Sequence, residues 1–108
     1  MIRTEIQAGI CGFQTTVRAK SDDSQNVSLG IVSTCDKIIA LAGALAGPID
    51  AYQEIGDGFD GVVLMAARNH LKGCCAGCIV PSGIFKTVQV AGSVALPAPL
   101  SITIERTE

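Results

Sequence analysis

Tryptophan is absent from the sequence, and only Phe13, Tyr52, Phe59 and Phe85 carry aromatic rings. The core must therefore be built from Ile, Val, Leu and Ala. The same scarcity removes the stacking platforms on which single-stranded nucleic acids are held. Positive charge is also thin: eight Lys and Arg, scattered singly, stand against ten Asp and Glu, for a formal net charge of −2. No basic stripe is present to displace counterions from phosphates, which argues against a nucleic-acid partner. Long hydrophobic runs are missing as well. The longest, Ile38 to Ile49, is about twelve residues and is broken by Gly43, Gly47 and Pro48, whereas a membrane span needs roughly 20. Residues Met1 to Gln7 alternate polar and apolar and lack the continuous apolar stretch of a secretory signal. These absences predict a soluble, cytoplasmic protein with neither membrane nor nucleic acid as partner.

What the chain has in excess is sulfur. Five cysteines occur in 108 residues, three of them in Cys74-Cys75-Ala76-Gly77-Cys78. A chain this long makes one domain, residues 1–108, and buries a core without disulfide staples. An odd cysteine count in a reducing compartment points to metal or redox use rather than to a disulfide framework.

Periodicity gives the architecture. Ile2, Thr4 and Ile6 alternate with Arg3, Glu5 and Gln7, as in a half-buried strand. Phe13, Thr15 and Val17 repeat the pattern, and Val27, Leu29 and Ile31 give a third strand beyond the polar turn at 21–26. Ile38, Leu41, Ala42 and Leu45 then fall at helical spacing, with Ser33 and Asp36 spaced as a capping box and Gly47-Pro48 as the stop. Pro48 is expected to open a short second helix through Ile55. A third helix is expected over 61–71, capped by Asp60 and stopped at Gly73, although Val62 to Met65 also read as a buried strand. Pro81 begins a last helix with Ile84, Val88 and Ala91 inward, and Ser101 to Arg106 alternates as a final strand. The sum is an α+β domain: a mostly antiparallel sheet of about four strands with helices packed on one face.

Cys75 and Cys78 have the two-residue gap that lets both thiolates turn toward one ion or cluster, with Gly77 easing the backbone between them. Cys74 supplies a third sulfur, as a ligand or an exchange thiol. Cys35 is expected in the first turn of a helix, where the positive end of the dipole favours a thiolate, although Asp36 beside it acts the other way. Cys11 lies between Gly9 and Gly12 at the turn joining the first two strands, where small neighbours admit a bulky group. The expected ligand set is Cys11, Cys35, Cys75 and Cys78, holding an iron–sulfur cluster or zinc. The bland reading is that buried free cysteines fill space as small hydrophobes. His70, the only histidine, reads best as a cation at a helix C-terminus. Glu54, Asp57 and Asp60 read as caps and turn residues, since a calcium loop needs more oxygen ligands at set spacing.

Cys78-Ile79-Val80-Pro81, Ile84, Lys86, Val90-Ala91, Ala95-Leu96-Pro97 and Ile102-Thr103-Ile104, with Cys11-Gly12-Phe13 near the start, resemble a group of small, functionally uncharacterised proteins of anaerobic archaea and bacteria. That resemblance implies a prokaryotic, intracellular protein from a setting where oxygen-sensitive clusters survive. It implies no reaction. The residues predict a metal- or iron–sulfur-binding protein for cluster carriage, electron transfer or metal delivery, working with a protein partner or by self-association. Two other classes fit the same sulfurs. One is a thiol-disulfide or peroxide-reducing protein with Cys35 as nucleophile and one of Cys74, Cys75 or Cys78 resolving. The other is a structural or interaction module whose cysteines only pack.

Overall fold

Alternating residues in the first third of the chain build an antiparallel meander. The computed structural model describes Met1–Glu108. Strands β1 (Ile2–Gln7), β2 (Gln14–Lys20) and β3 (Asn26–Ser33) pair in sequence order, with Ile6 opposite Thr15 and Val17 opposite Ile31. The apolar member of each alternation points to one face, where Ile6, Val17, Ala19 and Val27 are buried. A two-residue strand, β4 (Ile49–Asp50), pairs antiparallel with the start of β3 and completes the order β1-β2-β3-β4.

Four helices cover the buried face: α1 (Asp36–Gly43), α2 (Ala51–Asp57), α3 (Val62–His70) and α4 (Val80–Ala91). Helix α4 lies on β1 and β2, α1 lies on β3, and α3 packs between α1 and α4. The core is aliphatic, centred on Ile38, Leu41, Val63, Val80, Ile84 and Val88. Each such side chain contributes about 1.5–3 kcal/mol by leaving water, so no staple is required. Gly83 lets α4 approach the sheet closely, because a Cβ there would run into the side chain of Ile6. The stretch Gly73–Ala91 is long and apolar enough to cross a membrane by composition, with mean hydropathy 1.3. Its α4 portion nevertheless buries Gly83, Ile84, Thr87 and Val88 against the sheet.

Several local expectations are corrected. Ser33 does not cap α1; it is still paired with Thr15 in the sheet, sharing a 2.8 Å hydroxyl hydrogen bond, and the N-cap is Cys35. Helix α1 ends at Gly43, a turn before Gly47-Pro48, although Leu45 still reaches the core. Residues 49–50 are strand, paired with Val27 and Asn26, and α2 begins only after Asp50, which caps it by accepting from the N–H groups of Tyr52 (3.0 Å) and Gln53 (3.1 Å). Asp60 does not cap α3. That task falls to Glu54, buried at 1% exposure, whose carboxylate accepts from the N–H groups of Val62 and Val63, both at 2.9 Å. Finally, Ser101–Arg106 forms no strand: Leu96 to Glu108 are exposed throughout and follow no regular structure.

Candidate functional site

An antiparallel meander brings the end of β1, the start of β2 and the end of β3 to the same edge of the molecule. Two thiols arrive there by topology alone. Cys11 sits on a single 3-10 turn, Gly9–Cys11, between the strands. Gly9 and Gly12 both take left-handed φ, +79° and +72°, a conformation costly for any residue with a Cβ. The Cys11 thiol donates to the Ala8 carbonyl oxygen at 3.4 Å. Cys35 follows β3 directly as the N-cap of α1, in extended conformation, and its N–H donates to Ser33 Oγ at 3.1 Å.

The remaining thiols come from the link between α3 and α4. Helix α3 stops at Leu71, which is buried and pins the chain to the core. Gly73, with φ +64°, then opens a second 3-10 turn, Gly73–Gly77, that carries Cys74 and Cys75. Cys78 stands just ahead of α4, two residues before Val80, whose N–H donates to Cys78 Sγ at 3.5 Å. Pro81 occupies the first turn of that helix, where its missing N–H costs nothing.

All five cysteines line one pocket of about 360 Å³. Its other walls are apolar, from Ile10, Phe13, Ile38, Leu71 and Val80. None of the thiols is joined in a disulfide; Cys11 and Cys74 are exposed, and Cys35, Cys75 and Cys78 are half-buried. The sulfurs ring the space without closing on a point, since no three of them stand close enough to hold a single metal ion.

Electrostatics differ around the rim. Burial pushes the Cys78 thiol above its ordinary value, and thiolates at Cys11, Cys35 and Cys75 would push it the same way; the Val80 N–H pulls against them and loses. Desolvation thus outweighs the N–H donor at the start of α4. Lys37, in the first turn of α1, places Nζ 3.2 Å from Cys75 Sγ. That contact, together with negative charge at Cys75, Cys35 and Cys74, raises the lysine's pKa. A thiolate at Cys75 therefore has a cation in place. Nothing in the sequence marked Lys37, because its role depends on the 3-10 turn returning to α1 across 38 residues.

His70 lies outside the pocket, with Nδ1 2.9 Å from the Ala66 carbonyl oxygen in the last turn of α3. Asp57 and Asp60 are likewise elsewhere, and Asp57 accepts from Gln53 Nε2 at 3.0 Å.

The fold and the rim together define a class: a small α+β domain that presents five free thiols around an apolar pocket. Residues 2–104 match one family model, and the chain belongs to it: the Family of unknown function (DUF6951). No curated protein and no solved structure matches the chain.

Proposed function

We propose that this protein holds a polynuclear iron–sulfur centre in the cysteine-rimmed pocket and carries that cluster, or its electron, to a partner protein in a reducing cytoplasm. The reading is carried by one observation: thiols from three separate parts of the chain line the same 360 Å³ pocket. Filler cysteines have no reason to share one opening. Cys11, Cys35, Cys75 and Cys78 are the intended ligands, and Cys74, the exposed neighbour, is the exchange thiol.

The donor set as folded does not fit one zinc ion. Thiolates around a single zinc lie about 4 Å apart if its bonds are near 2.3 Å, whereas no three sulfurs here approach one point. A cluster separates its ligands more widely and fills the space between them. When bound, such a centre supplies reversible one-electron chemistry or a transferable cargo. The chain's own residues do the rest. Ile38, Leu71 and Val80 give the pocket a buried apolar wall, and Lys37 offsets thiolate charge at Cys75.

Protein isolated or reconstituted without oxygen should be brown and contain iron and sulfide in comparable amounts. Serine at Cys75 and Cys78 together should remove both while leaving the fold intact. Colourless, iron-free protein after reconstitution with iron and sulfide overturns the reading.

The Lys37–Cys75 contact favours a second reading, in which the thiols exchange disulfides or reduce peroxide, with Cys35 attacking and Cys74, Cys75 or Cys78 resolving. Alkylation rates against pH separate the two. A Cys35 that reacts fast at neutral pH in metal-free protein supports thiol exchange, and uniformly slow thiols remove it.

A further inference from the structure

The tail has the pattern of a strand but no partner, while β1 has a free edge and no covering strand. β1 pairs only with β2, so its outer row of N–H and C=O groups faces a groove of about 540 Å³. That groove is floored by Ile79, Gly83 and Val90 of the α4 region and bordered on its far side by Pro97 to Leu100. After Val94 no backbone hydrogen bond ties the chain to itself. Leu100, Ile102 and Ile104 are 54%, 69% and 90% exposed. The molecule measures 49 × 26 × 24 Å, elongated for an aliphatic-cored domain of its length. An exposed edge and an exposed apolar strand sequence are each aggregation hazards. In one chain they are complementary.

We propose that Ser101–Arg106 docks as a fifth strand on the free edge of β1 in a second copy of this chain, two reciprocal exchanges closing a twofold dimer. Pro97 and Pro99 stiffen the approach in an extended form. Facing residues choose the direction of pairing. In an antiparallel register with Ile102 opposite Ile6, Ile104 falls opposite Thr4 and both isoleucines face α4. Glu105 then falls opposite Arg3 on the solvent side. The parallel registers that keep both isoleucines inward set Glu105 against Glu5 (Ile102 opposite Ile2) or against Gln7 (Ile102 opposite Thr4). Those are a like-charge and a neutral pair, and neither matches the contact with Arg3. Exchange of an identical element between copies is a low-cost route to a closed dimer, and here it removes both exposed edges at once.

Sedimentation of the full chain over a range of concentrations, with amide exchange of residues 101–106 followed in parallel, tests this. The expected result is a mass twice that of the chain, with tail and β1 amides protected together. A chain ending at Leu100 loses no core residue and should sediment as a folded monomer. Glu105→Arg and Arg3→Glu should each weaken the dimer by about two- to thirtyfold, since every dimer holds the cross-strand charge pair twice, and the double reversal should restore it. A monomeric full chain overturns the proposal whether its tail exchanges freely or is protected on its own edge. So does a dimer that survives removal of the tail.

Discussion

The two ends of the sheet are finished in opposite ways. Where β2 turns into β3, carboxylates close the chain. Asp23 accepts from the N–H groups of Gln25 and Asn26 and from the Asn26 side chain, and Asp50 accepts from Tyr52, Gln53 and the Gln25 side chain. At the other end the connections carry sulfur. There hydroxyls serve the strand ends, Thr34 Oγ1 accepting from the Gln14 N–H and Ser33 Oγ from the Cys35 N–H. Few donors reach the thiols, and an apolar residue such as Ile10 stands fully in water. A carboxylate turn is complete as folded. A thiol-lined apolar pocket is stable as folded and still leaves its ligand atoms free. On the proposed function, stability and chemistry fall at different ends of one sheet, and substitutions should separate them.

The largest effect on stability should come from the deepest carboxylate. Glu54→Ala leaves the Val63 N–H buried and the Val62 N–H half-buried without acceptors, at a cost of about 2 kcal/mol. Denaturant midpoints should fall with the slope unchanged, whereas a midpoint within about 0.5 kcal/mol of wild type would deny Glu54 its capping role. Gly61→Ala should act through the same contact, because its Cβ would stand 2.9 Å from Glu54 Oε2. Serine at Cys75 and Cys78 together should shift the midpoint by only about 1 kcal/mol or less while abolishing iron uptake. A collapse of stability in that variant would return the thiols to the role of core filling.

Acid should act on the carboxylate end. Asp23 and Asp50 are both held below the ordinary carboxylate range, chiefly by the side-chain amides of Asn26 and Gln25 respectively. Depressed folded-state values place their stabilisation above the unfolded value of about 4, and it is lost as pH falls further. Unfolding midpoints should decline below about pH 4, and Asp23→Ala should flatten that decline. An unaltered acid profile in the variant would contradict the assignment. The smallest effect is kinetic and lies at the sulfur end. Cys78 should alkylate more slowly than exposed Cys74 at neutral pH and catch up only in alkali, since burial raises its pKa. Equal rates at pH 7 would refute the difference.

Strands β1 to β3 and helices α1 and α4 were legible because each is a local pattern of period two or 3.6, whereas Val62 to Met65 of α3 fitted helix and buried strand alike. Glu54 was not, because its partners lie eight and nine residues away on another helix. Asp50 offered a readable cap signal, which the stronger expectation attached to Pro48 obscured. Ser101–Arg106 reads as a strand from its alternation, yet alternation says nothing about whether an edge is free to receive it. Cys11 and Cys35 could be brought together from sequence once both were placed at strand ends, since an antiparallel meander returns those ends to one side. Cys74, Cys75 and Cys78 reach the same pocket through the docking of α3 and α4, which the spacing alone does not contain.

X-ray absorption at the iron edge, on protein reconstituted without oxygen, tests the thiol pocket most directly. Iron surrounded by sulfur with a second iron close by, lost when Cys75 and Cys78 become serine, is the predicted result. Iron bound only through oxygen or nitrogen, or bound equally by the serine variant, would contradict it.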